Sequence, residues 1–309
     1  MRLILLFAFS LTSFLLTSQT PTAKPQLSNT PTQNQKHETT NPEPPKPETH
    51  LKNIRQLTFG GDNAEAYWSP NSKWLTFQSN NKDWGLHCDQ IYAMKVSKAA
   101  GKKDYRPLPI SGGKGRTTCS YFMPDGKHIL FASTKGAADT CPAVPDLRKG
   151  GKYLWPVYNS YDIYVADLKG NITKQLTNTP GYDAEGTVCG RDGTIVFTSV
   201  RDGDIDLYRM DRDGRNVKRL TDTPGYDGGA FFSADCTRIV WRASRPRPGK
   251  ELDDYKALLS RGLVRPTRLE LYVANADGSE ARQITSLDAA SFAPFFFPDG
   301  KRVLFASNH

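Results

Sequence analysis

The fold is decided by the stretch LTNTPGYDAEGTVCGRDGTIVFTSVRDGDIDLYRMDRDGRNVKRL, residues 176–220. It contains four short runs rich in β-branched and aromatic residues, with Asp-Gly turns between several of them. Glycine accepts the left-handed backbone conformation that such turns need, and aspartate bonds its own backbone there. The period from the first leucine to the last is 44 residues. This pattern favours four β-strands joined by tight turns.

The same pattern recurs over residues 51–309, where three phrases follow one another in a fixed order. The first phrase reads IRQLT, TKQLT, VKRLT and ARQIT, with a degenerate copy YRPLP, at residues 54–58, 173–177, 217–221, 281–285 and 105–109. The second is a turn followed by a strand, as in SPNSKWLTFQSN from Ser69 and FPDGKRVLFASN from Phe297. The third is an alternating strand such as DIYVADL at 162–168. Four short strands in every 40–45 residues are typical of a propeller blade, so we predict an all-β fold, a β-propeller of four-stranded blades.

The order of these phrases resembles the TolB-like β-propeller family, whose units are known as WD40-like or PD40 repeats. The phrases QLT, WSPNSK or FMPDGK, IxFxS and DIYVxD carry the resemblance, which covers residues 54–309. The family usually has six blades. TolB itself carries an α/β domain ahead of its propeller, whereas residues 1–50 of this chain show no pattern of that kind.

The family's strand order implies four complete blades and the first two strands of a fifth. They are placed at residues 64–109, 117–177, 184–221, 228–285 and 292–309. The phrase at 54–58 is left over, and we expect it to close the ring as the outer strand of the last blade. We therefore expect a six-bladed type truncated in blade 5, which is the pattern of a fragment; a distorted ring of five blades is the alternative.

Residues 1–50 precede the repeats and contain two different segments. Arg2 followed by the apolar stretch 3–16 is typical of a secretory signal peptide over residues 1–20, with an uncleaved anchor as the alternative. Residues 21–50 hold seven Pro and six Thr, which predicts a disordered linker because little apolar surface is available to bury. The expected location is periplasmic or secreted, and the protein is at most peripheral to a membrane.

The net charge of +9 comes from 41 Lys and Arg against 32 Asp and Glu. Residues 98–116, which include Arg116, carry +5, and residues 245–268 carry +4, so these two segments account for the whole excess. Positive charge confined to loops of an exported protein favours an anionic partner in the envelope and disfavours nucleic acid. Plain solvation of the loops is the alternative.

Three insertions depart from the period, at residues 80–89, 135–160 and 245–268. Each lengthens the loop between the second and third strand of a blade, so all three are expected on one face, where propellers place binding loops. Trp84 and Trp155 are the candidate binding residues of the first two insertions.

Acidic residues recur in the turns that enter the inner strands, and these turns gather around one mouth of the channel. A ring of such acceptors would bind a cation, a basic peptide or sugar hydroxyls; turn residues that bond their own backbone are the alternative. The candidates are Asp62, Asp183 and Asp227, with Tyr182 and Tyr226 preceding two of them.

The chain has five cysteines, and pairs of cysteines are expected to oxidise in an exported protein. We expect a disulfide within the trio Cys88, Cys119 and Cys141, with Cys88–Cys141 preferred. A metal site built from these three and His87 is the alternative, although the spacing matches no zinc signature. Cys189 and Cys236 are interpreted as core or turn positions.

Motifs for catalysis are scarce. The sequence contains neither G-x-S-x-G nor a glycine-rich phosphate loop, so we predict no catalytic residues and no cofactor.

The favoured function is an exported, non-catalytic propeller that acts as a binding scaffold or sensor for a protein or glycan of the cell envelope. The alternative is a carbohydrate-active enzyme, because oligogalacturonate lyases resemble this fold and use a metal held by His and Gln side chains.

Overall fold

The computed structural model describes residues 49, 51–145 and 153–309 of the chain. Contacts divide the chain into two units, Met1–Lys52 and Asn53–His309, and the fold below is that of the second unit. The predicted signal peptide and nearly all of the predicted linker lie outside the described residues. Within the described part, no helix has the length and apolar character needed to cross a membrane.

The described residues form four antiparallel sheets of four strands, a fifth blade-like sheet of two strands, and a separate two-stranded ribbon. This confirms the all-β, propeller-type fold. Blade 1 contains β1 Asp62–Trp68, β2 Trp74–Asn80, β3 Gln90–Lys95 and β4 Leu108–Pro109. Blade 2 contains β5 Thr117–Phe122, β6 His128–Ser133, β8 Asp162–Asp167 and β9 Ile172–Gln175. Blade 3 contains β10 Asp183–Val188, β11 Ile195–Ser199, β12 Asp206–Met210 and β13 Lys218–Arg219. Blade 4 contains β14 Asp227–Phe232, β15 Arg238–Ala243, β17 Glu270–Asn275 and β18 Arg282–Gln283, and blade 5 contains β19 Ser291–Phe296 and β20 Val303–Ser307.

The hydrophobic core lies between neighbouring blades, where the sheets pack face to face. Leu130 of blade 2 and Phe197 of blade 3 are fully buried in one such layer. Trp241 of blade 4 packs in the next layer against Leu207 of blade 3. Alternating apolar residues on the strands form these layers. The strands could therefore be predicted from the alternation of apolar and polar residues in the sequence.

Every inner strand contains a β-bulge, which comes three residues after the first paired residue in blade 1 and two residues after it in blades 2 to 5. The bulged residues have positive φ angles between 48° and 60° in all five blades. A bulge of this kind re-aims one side chain and increases the local twist. The five residues form a layer across the channel, named the bulge layer here: Glu65, Cys119, Glu185, Gly229 and Ala293.

The threonine that ends the QLT phrase joins the outer strand to the next strand inwards. Thr221 Oγ1 donates to Asp206 Oδ1 at 3.1 Å and accepts the Leu207 N–H at 2.9 Å. The same pair of bonds connects Thr177 to Asp162 and Thr285 to Glu270. The phrase recurs because each blade needs this hydroxyl to satisfy a partly or fully buried acid and a backbone donor.

Replacing Thr221 with valine is expected to lower the free energy of unfolding by about 1–3 kcal/mol. Valine keeps the shape but leaves the buried Asp206 carboxylate and the Leu207 N–H without this partner. Urea denaturation measures the change. The exposed Thr223→Val is the matched control and should stay within about 0.5 kcal/mol of wild type. Equal stability of the two variants would contradict a structural role for the repeat threonine.

Two details of the repeat prediction are wrong. In blade 1 Ser111 occupies the threonine position, with Ser111 Oγ donating to Gln90 Oε1 at 2.7 Å, so the degenerate phrase is residues 107–111 and not 105–109. Residues 54–58 form no strand in the described structure; Leu57 packs against the core of blade 1 instead of closing the last blade. An apolar sequence pattern does not specify which blade the segment packs against.

The insertions of blades 2 and 4 meet each other. Strand β7 Trp155–Pro156 pairs antiparallel with β16 Leu263–Val264, and this two-stranded ribbon is named the mouth strap here. Helix α2 Lys250–Leu259 supports the strap through Tyr255. A short helix, α1 Val96–Ala99, and a 3₁₀ turn, Lys82–Trp84, complete the described elements.

Candidate functional site: the central channel and its mouth

Aromatic side chains close one end of the channel. Tyr67, Tyr121, Phe231 and Phe295 come from blades 1, 2, 4 and 5, at the position that follows the bulge on each inner strand. The ring centroid of Tyr67 lies 5.4 Å from that of Tyr121 and 5.7 Å from that of Phe231, and Phe231 lies 5.5 Å from Phe295. Because four blades contribute to one cluster, it fills the axis; it is named the aromatic plug here.

Above the plug, Glu185 and Arg242 form an ion pair whose side chains are only 11% and 12% exposed. Glu185 also accepts Thr198 Oγ1 at 2.8 Å, Tyr226 Oη at 2.9 Å and the Gly229 N–H at 3.0 Å. Gly229 has no side chain at its bulge position, and a Cβ there would overlap the Arg242 guanidinium. The missing side chain in blade 4 therefore makes room for this arginine.

Arg242 is also surrounded by aromatic rings. Its guanidinium carbon lies 5.4 Å from the Trp155 ring, 5.7 Å from Tyr226 and 5.9 Å from Phe292. Burial on its own lowers the pKa of Arg242, but the neighbouring Tyr226 and Glu185 outweigh burial and raise it. Burial raises the pKa of Tyr226 well above its usual value. The arginine is a permanent cation, and the phenol stays neutral.

Glu65 differs from Glu185 because it makes no ion pair with a Lys or Arg of the described residues. Its side chain is exposed to solvent, although the surrounding protein atoms are numerous enough for desolvation to raise its pKa. A side-chain hydrogen bond with Cys119 opposes this shift, the nearby Glu185 adds to it, and Arg242 offsets part of it. Burial also raises the pKa of the Cys119 thiol well above its usual range.

The mouth cavity above the bulge layer has a volume of about 400 Å³. Tyr153, Trp155 and Tyr158 form its wall on the blade 2 insertion. Arg116 bonds Asp89 at the rim and lies 5.9 Å from the Tyr158 ring. A second cavity of about 380 Å³ continues to the plug. Both cavities are lined by Glu65, Cys119, Trp155, Glu185 and Arg242, so they meet at the bulge layer.

A disulfide between Cys88 and Cys141 joins the insertions of blades 1 and 2, with a Cα–Cα distance of 6.0 Å. This is the pair that the sequence favours, and Cys119 keeps a free thiol. The alternative metal site of His87, Cys88, Cys119 and Cys141 is wrong, because two of its thiolates are consumed by the disulfide. The described residues contain no group of three or more His, Cys, Asp or Glu with a geometry for a metal ion.

A second disulfide, Cys189–Cys236, joins the inner-strand turns of blades 3 and 4. The interpretation of these cysteines as ordinary core or turn positions missed the bond. A signal was available: the two cysteines lie in equivalent turns of consecutive blades, Cys189 at the first turn residue and Cys236 three residues after the first, and consecutive blades bring such turns together.

Four predicted binding residues meet at the mouth cavity: Arg116, Trp155, Tyr182 and Tyr226. Trp84 does not; it packs against Tyr92 at 5.0 Å in the outer core of blade 1. Asp62 is exposed at the start of β1 and lines a separate depression with Gln56 and Asp89.

The predicted ring of aspartates is not a ring of free acceptors. Arg201 binds both carboxylate oxygens of Asp183, at 2.9 and 3.0 Å. Asp227 accepts Arg245 at 2.7 and 2.9 Å and the Trp241 indole N–H at 2.6 Å. Burial raises the pKa of Asp227 to about 6 against the opposing effect of Arg245. Each ion pair links the start of an inner strand to the loop that follows the second strand of the same blade.

Sequence reasoning missed Glu65, Glu185 and Arg242. A signal existed for the two glutamates, because the inner strands NAEAY at 63–67 and DAEGT at 183–187 place them at the same repeat position. For Arg242 no local signal existed, since its place depends on the absence of a side chain at Gly229 on the adjacent strand.

Comparison with known proteins supports the fold. No protein-family model and no curated protein matches this chain. Among solved structures it is similar to TolB from Acinetobacter baumannii, with 23% identity and a TM-score of 0.51, over 79% of this chain and 48% of that chain. The chain thus spans about half the length of that TolB structure. It is also similar to a chain of a nidogen/laminin complex, with 13% identity and a TM-score of 0.51, over 78% of this chain and 70% of that chain. The chain therefore has a β-propeller fold of the TolB-like type.

Proposed function

We propose that the protein is an exported, non-catalytic binding scaffold for a protein of the cell envelope, and that the partner inserts a cationic side chain through the mouth cavity to Glu65. The observation that carries this proposal is a channel plugged at one end, with an unpaired carboxylate beneath an aromatic mouth.

The charges around the bulge layer favour a cation. Three acids and two arginines line the mouth cavity: Glu65, Glu185, Asp89, Arg116 and Arg242. When all five side chains are ionised, their net charge is −1. Both arginines already pair with carboxylates, which leaves Glu65 as the free acceptor. The rings of Trp155 and Tyr158 already lie beside Arg242 and Arg116, so the proposed acceptor for the partner's cation is the carboxylate.

Export and a protein partner have separate support. The stretch at residues 3–16 has the pattern of a secretory signal, and two disulfides are typical of oxidising compartments. One structure with a similar propeller was solved as a nidogen/laminin complex, so a propeller of this shape is compatible with a protein partner. The two basic segments on the loops provide further charge for such a contact.

Replacing Glu65 with glutamine is expected to weaken binding of a lysine peptide by roughly 30-fold, because a partly desolvated ion pair is lost. The probe is a pentapeptide with a central lysine and neutral flanks, compared by calorimetry with its norleucine analogue. Since the pKa of Glu65 is raised, wild-type affinity should increase as pH rises through that pKa and the carboxylate becomes charged. The glutamine variant should lose this pH dependence. Bound peptide should also slow alkylation of Cys119.

The matched control is Asp104→Asn, which removes one negative charge from an exposed loop of blade 1 away from the channel. It should leave peptide affinity unchanged. Equal affinity of wild type for the lysine and norleucine peptides would contradict the proposal. A neutral oligosaccharide that binds wild type and the Glu65 variant equally, and protects Cys119, would instead support a glycan as the partner.

A further inference from the structure

The blade 4 insertion contains a pocket that is separate from the channel. It has a volume of about 130 Å³ and lies between α2 and the segment that follows β16. Three arginines line it, Arg245, Arg265 and Arg268, together with the Thr267 hydroxyl and the Asp254 carboxylate. The pocket belongs to the segment 245–268, which carries +4 of the net charge.

Arg265 is the unusual member of this group. Its side chain makes no ion pair and no hydrogen bond within the described residues. Its Nε atom is buried without an acceptor, although buried donors in folded proteins are nearly always bonded. The side chain as a whole is only partly buried and lines the pocket, so the rest of its guanidinium is free to bind an acceptor there.

The neighbouring carboxylates do not supply that acceptor. Asp227 binds Arg245 through both oxygens. Glu251 is shared between Arg247 and Arg268, with Arg268 Nη2 2.9 Å from Glu251 Oε1. Arg268 also lies 3.6 Å from Asp288. Glu251 and Asp254 both line the pocket, and neither makes an ion pair with Arg265. The positive field of Arg265 is therefore not cancelled by ion pairs.

The pocket is held in place by packing that does not depend on a ligand. Tyr255 of α2 is buried in the core beneath the strap and bonds Asp204 of blade 3. The backbone of β16 pairs with β7 across the mouth. Arginines held on such a frame lose little freedom when they bind, which favours recognition of a planar or tetrahedral oxyanion.

We propose that this pocket binds a compact oxyanion, a phosphate or carboxylate group, between the guanidinium groups of Arg265 and Arg268 and the Thr267 hydroxyl. Arginine forks match the paired oxygens of both groups, and the pocket volume is large enough for one such group. The site is independent of the channel and of the function proposed for it.

Calorimetry with inorganic phosphate and with glucuronate, at constant ionic strength, tests the site. Wild type should bind at least one of them saturably, and Arg265→Gln should weaken that binding at least tenfold. Asp254→Asn should tighten it, because a repelling carboxylate is removed; this variant keeps the test valid if the arginine variant does not fold. Phosphate binding alone would identify a phosphate group as the natural ligand, and glucuronate binding alone a sugar acid.

The matched control is Lys250→Gln, which removes an exposed positive charge from the same helix. Its affinity should equal that of wild type. If the lysine and arginine variants weaken binding equally, the effect is general charge and the proposed pocket is overturned. Absence of saturable binding of both anions to wild type would overturn it as well.

Discussion

Replacing Arg242 with methionine is expected to lower the free energy of unfolding by about 3–5 kcal/mol, since it leaves the Glu185 carboxylate buried without a counter-charge. The same change removes three aromatic contacts and the bond from Arg242 Nη2 to Tyr226 Oη at 2.9 Å. Urea denaturation followed by far-ultraviolet circular dichroism measures the loss. The bulge layer, which holds the proposed ligand site, should be the first region to lose protection from hydrogen exchange.

Two variants separate the buried ion pair from general effects of losing an arginine. Arg215→Met removes an arginine that is 80% exposed, and no measurable change is expected. Glu185→Gln combined with Arg242→Met removes both charges, so it should recover a large part of the stability that Arg242→Met loses. If the double variant is no more stable than Arg242→Met alone, the cost does not come from an unpaired carboxylate.

Replacing Cys189 and Cys236 together with serine is expected to lower the free energy of unfolding by about 2–4 kcal/mol. The bond closes a loop with a sequence separation of 47 residues and restricts the unfolded chain, so its removal favours unfolding. Differential scanning calorimetry of the oxidised proteins measures the shift. A reducing agent should also lower the melting temperature of wild type, but that shift includes the loss of both disulfides.

The matched comparison is Cys88→Ser with Cys141→Ser, because that disulfide has a similar separation of 53 residues. We expect a stability loss of the same order, about 2–4 kcal/mol. The two pairs should differ in binding: only loss of Cys88–Cys141 frees the insertion that forms the cavity wall, so only this variant should weaken the lysine peptide. Equal peptide affinity in both double variants would contradict a role for this disulfide in shaping the mouth.

Much of the fold could be predicted because its determinants are local and repeated. The Asp-Gly turns, the alternating strands and the QLT phrase each act within one blade, and each recurs often enough to be recognised. The failures occurred where two elements compete for one partner. Residues 54–58 have the QLT pattern, yet Leu57 packs against blade 1 because an apolar strand pattern does not specify which surface covers it.

The candidate site was predicted only in part, for a related reason. Trp155, Tyr182 and Tyr226 were expected at the mouth because equivalent loops lie on one face. Asp183 and Asp227 looked like free acceptors, and only the positions of Arg201 and Arg245 revealed that they are paired. An ion pair between residues 18 positions apart depends on two strands lying side by side, which residue types do not specify.

The amino-acid sequence by itself determined the class of this protein: a β-propeller whose turns, strand alternation and capping threonines repeat with the period of a blade. These are short-range effects of backbone conformation and side-chain alternation. The tertiary structure alone decided the site. It brings the bulged residues of five strands to one axis, closes one end with aromatics, and leaves Glu65 as the unpaired carboxylate, because burial and pairing arise only when the blades surround a common channel.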